Sequence, residues 1–258
     1  MMKIFFKPVL MFSIILLLFI SGCKEKQEKV ELTISAAASL KDSMDAIQAQ
    51  FEKEHPNISL TFNYGGSGML QKQIEQGAPV DVFLSAAEQN YQALEEENML
   101  IPEMGGPFTK NALVVIAPTN KKYASFNDLI EKGDKIAIGI PETVPAGAYA
   151  KETLQKIGKW EEIQDKLVLA KDVRQVLTLV EQQNVSGGIV YQSDAASSVK
   201  LNIIEKIDPS LHSEIQYYGG VVANRSNSKE ASLFIDFLHN SAIQKIFVEN
   251  GFIPITSK

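Results

Sequence analysis

Apolar and polar positions follow two rhythms along this chain, one of strands and one of helices. Residues 32–36 (LTISA) form the short apolar run of a strand buried on both faces. A small-residue turn, Ala37-Ala38-Ser39, follows. From Leu40 the apolar positions fall at Leu40, Met44, Ile47 and Phe51, the spacing of one helix face. Pro56 ends that helix, because a residue preceding proline is pushed out of the helical region. Ser39 thus lies where a strand meets a helix N-terminus, and free N–H groups and the helix dipole there favour an anion. The plainer reading of Ser39 is an N-cap.

The same junction recurs. Residues 58–62 alternate as a strand, 63–68 (NYGGSG) break it, and a helix begins near Ser67 with Met69, Leu70 and Ile74 inward. A strand at 80–85 precedes a mostly polar helix at 88–98 that turns Tyr91 and Leu94 inward. Residues 100–110 read as irregular, and 111–117 (NALVVIA) as a strongly apolar strand. Ser125 and Asp128 resemble a capping box. Strands at 135–140, 167–170, 188–191 and 203–206 alternate with helices at 148–157, 173–183 and 193–199. In the second of these helices Val173, Val176, Leu177 and Val180 face inward, behind Asp172 as N-cap. A long strand at 214–223, interrupted by Gly219-Gly220, and two amphipathic helices at 228–238 and 241–250 complete the chain. Strands alternating with helices predict an α/β protein with parallel sheets.

The first residues change the picture of where the chain resides. Lys3 and Lys7 precede an almost wholly apolar stretch at 9–20 and then Ile20-Ser21-Gly22-Cys23, the layout of an export signal too short to span a bilayer comfortably. Cys23 is the only cysteine among 258 residues, so no internal disulfide can form. The signal resembles a bacterial lipobox. That resemblance implies removal of 1–22, lipidation of Cys23 and a polar tether at 23–29, with the protein outside the cytoplasm and anchored to the cell membrane. Without Lys3 and Lys7 the net charge is −8, which argues against nucleic acid and against electrostatic adhesion to anionic lipid.

Candidate chemistry lies at the strand-to-helix junctions, where open α/β sheets bind ligands. Ser39, Ser67, Pro145-Ala146-Gly147, Asp172-Val173 and Tyr191-Gln192-Ser193 are such junctions. Three offer hydroxyls, and at Ala146 and Val173 only backbone N–H groups can serve. Many donors without a fixed cation suit a fully deprotonated tetrahedral oxyanion, because a protonated one would need an acceptor. Six or seven charge-assisted bonds of about 1.5–3 kcal/mol each, less association costs of roughly 4–15 kcal/mol, leave micromolar to nanomolar affinity.

The blocks AAASL (36–40), QIEQGAPVDVFLSA (73–86), NALVVIAP (111–118), PETVPAGAYAKETLQKIGKW (141–160), KDVRQVLTLVE (171–181) and GIVYQSDA (188–195) resemble molybdate-binding proteins of ABC importers. The resemblance implies a type II periplasmic-binding-protein fold, with two α/β lobes joined by crossing strands at 111–118 and 214–223. Lobe 1 would comprise 30–112 and 219–258, and lobe 2 would comprise 113–218. It implies capture of molybdate, and of tungstate, by Ser39 and Ser67 (hydroxyl and amide), Ala146 and Val173 (amides) and Tyr191 (hydroxyl). The second loop reads Gly-Gly-Ser-Gly where relatives carry more serines, which makes a neighbouring glycine amide a further candidate. The implied partners are a membrane permease and its ATPase, with the binding protein itself a monomer that needs no cofactor.

Three other readings are weaker. A hydrolase would need glycine two residues after Ser67, and Met69 stands there. His55, His212 and His239 lack ligand or triad spacing and read as solvated surface residues. A ferric-ion site on Tyr217-Tyr218 conflicts with adjacent strand residues pointing to opposite faces. Sulfate or thiosulfate would use the same donors. No GxxxxGK[ST] sequence is present for ATP hydrolysis.

Overall fold

The structure, a computed structural model, describes residues 29–255. The signal segment, Cys23 and the tether up to residue 28 lie outside the described residues. The opening unit is built as its periodicity predicts. β1 (Val30–Ala37) passes through a 3-10 turn at Ala38–Leu40 into α1 (Lys41–Glu54). Leu40, Met44, Ile47 and Phe51 are all fully buried.

Then come β2 (Ile58–Gly65), α2 (Ser67–Glu75), β3 (Val82–Ser85), α3 (Glu88–Glu96) and β4 (Leu100–Lys110). They form one sheet in the order β2-β1-β3-β10-β4, completed by β10 (Gln216–Val222) from late in the chain. Successive residues of β3 serve opposite faces. Val82 and Leu84 join the core beneath α1, α8 (Ser228–Leu238) and α9 (Ser241–Glu249), while Phe83 joins Leu70, Ile74, Tyr91 and Leu94 of α2 and α3.

The second sheet, ordered β7-β6-β8-β5-β9, holds β5 (Leu113–Pro118), β6 (Ile136–Gly139), β7 (Leu167–Ala170), β8 (Gly187–Tyr191) and β9 (Leu201–Lys206). Its helices are α4 (Phe126–Lys132), α5 (Pro145–Lys156), α6 (Val173–Glu181) and α7 (Gln192–Ala196). Val173, Val176, Leu177 and Val180 are buried, as their spacing predicts. The Ser125 hydroxyl caps α4 by accepting from the Asp128 N–H.

Several expectations change. The sheets are mixed: β1, β2 and β3 run parallel, as do β6, β7 and β8, but β10 and β4 close the first sheet antiparallel and β5 and β9 the second. Residues 100–110 are strand, not irregular. Pro102 and Pro107 are tolerated because β4 is an edge strand, paired to β10 through two register shifts. β5 pairs wholly within the second sheet and β10 wholly within the first. The chain therefore changes sheet in short segments, at 111–112 and between Lys206 and Gln216, and the 218/219 position falls inside β10. His212 is buried, not solvated, with Nδ1 2.7 Å from the Ser213 carbonyl oxygen and its ring beside Tyr149.

Candidate functional site

The C-terminal ends of the parallel strands of the two sheets face each other. Ser39 follows β1, Ser67 follows β2, Ala146 follows β6, Val173 follows β7, and Tyr191 ends β8. All five line one small cavity together with Ala37, Gly66, Ala86 and Pro145. Its free volume is about 10 Å³, room for about one water molecule with the lobes as they stand.

The local sequence leaves donors free here. Pro145 occupies the first turn of α5, where its missing N–H costs nothing. Gly147 and Ala148 N–H groups go to the Val144 carbonyl oxygen, so the Ala146 N–H is the first-turn donor left at this end. A Cβ at Gly147 would collide with the Gly139 carbonyl, so glycine lets α5 settle onto the end of β6. Asp172 caps α6 by accepting from the Gln175 N–H at 2.8 Å, which leaves the Val173 N–H without an intrahelical partner. α2 and α5 start without any side-chain cap.

The hydroxyls are held from behind. Ser67 Oγ accepts from the Ala86 N–H at 3.0 Å. Ser39 is not an N-cap: its Oγ lies 2.8 Å from Tyr217 Oη, which also faces Asn111 Nδ2 at 3.3 Å. Tyr191 Oη is buried and, among the described residues, has no well-formed hydrogen bond. Burial pushes the Tyr191 and Tyr217 phenols well above their ordinary pKa, so both keep their protons at neutral pH. The Gly68 N–H is not free for a guest. It donates across the lobes to the Thr143 carbonyl oxygen at 3.0 Å.

Asn111 and Tyr217 were not singled out for the site by the sequence. Their partners are distant in the chain; Tyr217 drew notice only as half of the Tyr217-Tyr218 ferric-ion pair, and both lie near the crossing segments. Tyr217 and Tyr218 do not converge. Tyr218 turns away to Tyr91 and donates to Gln216 Oε1 at 2.8 Å. Arg174 stands near the N-terminus of α6 but does not line the cavity, and pairs instead with Asp42 and Asp194.

Two lobes meeting at facing strand ends around a small cavity give the two-lobed α/β fold of type II periplasmic binding proteins. The chain belongs to the bacterial extracellular solute-binding protein family, matched over residues 32–253. YvgL of Bacillus subtilis (strain 168), whose name describes an ABC transporter substrate-binding lipoprotein, is 43% identical over 91% of this chain and 93% of its own. The molybdate-binding protein ModA of Escherichia coli (strain K12) is 34% identical over 86% of this chain and 88% of its own. A solved Clostridium difficile structure, described as the substrate-binding domain of a molybdenum ABC transporter, is 42% identical with a TM-score of 0.69, covering 88% of this chain and all of that one.

Proposed function

We propose that this protein captures molybdate, and the near-isosteric tungstate, between its lobes and hands it to the permease of an ABC importer. The observation that carries the reading is the donor set. Ser39, Ser67, Ala146, Val173 and Tyr191 reach one small cavity from both lobes, and among the described residues no side-chain cation lines it. Neutral, pre-oriented donors suit a doubly charged tetrahedron, and the ModA proteins among the relatives are named for molybdate.

In this reading the lobes open at the two crossing segments, the anion enters, and closure removes it from water. The closed form then presents both lobe faces to the permease. Capture involves no bond making or breaking and no resident cofactor. Lipidated Cys23 would hold a single chain at the outer side of the membrane, within reach of that permease.

Calorimetric titration with molybdate, tungstate, sulfate and phosphate tests the reading. Tight binding of molybdate and tungstate with weak sulfate and phosphate binding is the expected result. A preference for phosphate, or no binding of any of the four, would overturn it. Mass spectrometry of the membrane-bound protein should find acyl chains on Cys23, and a Cys23→Ala variant should be released in soluble form.

A further inference from the structure

Behind the Ser39 hydroxyl runs a chain of buried polar groups with one consistent direction. The Asn111 amide is pinned at both ends. Its Oδ1 accepts from the Ala112 N–H at 2.9 Å and faces the Ser193 N–H at 3.5 Å. Its Nδ2, a donor only, therefore points to Ser193 Oγ at 2.8 Å and to Tyr217 Oη at 3.3 Å. Tyr217 is fully buried, and among the described residues Ser39 Oγ, at 2.8 Å, is the acceptor placed for its O–H, the neighbouring Tyr191 Oη making no well-formed hydrogen bond with it. Were Ser39 to donate to Tyr217, the tyrosine proton would be buried unpaired. The direction is thus Asn111 to Tyr217 to Ser39, and the proton of Ser39 is left for the cavity. Ser67 receives the same treatment from the Ala86 N–H.

We propose that Asn111 and Tyr217 are specificity-determining positioning residues that hold the Ser39 hydroxyl as an obligate donor and so exclude oxyanions that keep a proton. Neither residue lines the cavity. Both stand at the crossings between the sheets, Asn111 just before β5 and Tyr217 in β10. A guest such as hydrogen phosphate must place its own O–H against an acceptor. With Tyr217 in place, Ser39 Oγ already takes a proton from behind and has its own to give, so the two O–H groups oppose each other. The proposal rests on the oxyanion reading above and deepens it.

The test compares molybdate with inorganic phosphate near pH 8, where phosphate carries two charges, like molybdate, and still one proton. In Tyr217→Phe, Ser39 regains a free lone pair and can turn to accept. Molybdate affinity is expected to change by no more than about fivefold, while the molybdate-to-phosphate affinity ratio falls by about tenfold or more. Asn111→Ala should shift the ratio in the same direction, which keeps the test available if Tyr217→Phe folds poorly. In a Ser39→Ala background, Tyr217→Phe should leave the ratio unchanged, because the effect passes through Ser39. Equal losses for both anions, an unchanged ratio, or the same shift in the Ser39→Ala background would overturn the proposal while the oxyanion reading stands. Failure of the unaltered protein to bind molybdate would remove the reading beneath it.

Discussion

Arg174 of the second lobe grips Asp42 of the first, with Nη1 2.8 Å from Oδ2 and Nη2 3.3 Å from Oδ1. The same Nη1 lies 3.8 Å from Oδ1 of Asp194, a fully buried carboxylate of its own lobe. Opening the lobes parts Arg174 from Asp42 but not from Asp194, so the first pair contributes only to the closed form. It is partly exposed and two-pronged, worth on the order of 1 kcal/mol, or about fivefold in an equilibrium. Asp42→Asn is therefore expected to speed release of bound anion about fivefold, with the difference shrinking as salt is raised. Stopped-flow displacement measures this, and an unchanged release rate would show that the pair takes no part in closure.

Asp194 makes stability depend on pH. Among the described residues its oxygens make no well-formed hydrogen bond, though the Tyr191 backbone and the Arg174 guanidinium stand close enough to favour its ionised form. Burial pushes its pKa up to about 7, against the pull of the Arg174 guanidinium, with Asp42 and Asp172 adding to the rise. A carboxyl whose folded pKa is raised binds more protons folded than unfolded. Stability is then unaffected below the unfolded value near 3.8, falls as pH rises from there, and levels off above about 7. The full loss is at most about 4 kcal/mol. Denaturant titrations from about pH 4 to 8 should show this decline, and Asp194→Asn should flatten it. A wild-type profile without the decline would mean that the carboxylate ionises at little cost where it stands.

What the sequence revealed follows from how local each determinant is. α1 and α6 were legible because one apolar stripe, such as Val173, Val176, Leu177 and Val180, faces one core. β4 was not, because Pro102, Gly105, Gly106 and Pro107 read as punctuation, and only pairing with β10 makes that stretch a strand. The five candidate site residues were nameable from strand-to-helix junctions and from resemblance. The Asn111–Tyr217–Ser39 chain was not, since its bonds join residues 106 and 178 positions apart. Buried His212 escaped for the same reason: its ring rests on Tyr149, far off in the chain.

Tyr191 separates ligand binding from folding. Its hydroxyl is buried with no well-formed hydrogen bond among the described residues, and burying such a group costs about 1–3 kcal/mol. Tyr191→Phe keeps the ring against Tyr217, 5.8 Å between centroids, and removes the orphan oxygen. The ligand-free protein should therefore melt at the same temperature or a few degrees higher. Molybdate affinity should fall about tenfold or more, with a smaller molybdate-induced rise in Tm. A variant that melts lower and binds as tightly would remove Tyr191 from the donor set.

Gly66 separates closure from everything else. Its backbone is ordinary extended chain (φ −68°, ψ 133°), which alanine adopts without strain. Yet a Cβ there would sit 2.7 Å from the Thr143 carbonyl oxygen and 3.1 Å from that of Lys171, both on the facing lobe. Those obstacles are backbone and cannot rotate away, so the closed lobes would have to part. The neighbouring Gly68 N–H to Thr143 bond would be strained in the same movement. Gly66→Ala should leave the melting temperature of the ligand-free protein within a few degrees of wild type, because the obstacles are the facing lobe's Thr143 and Lys171 carbonyls, which parting of the lobes relieves. Molybdate affinity should fall by about a hundredfold, a cost on the order of 3 kcal/mol, and small-angle scattering should no longer show compaction on adding molybdate. Full compaction with wild-type affinity would mean that the lobes close without bringing Gly66 against Thr143.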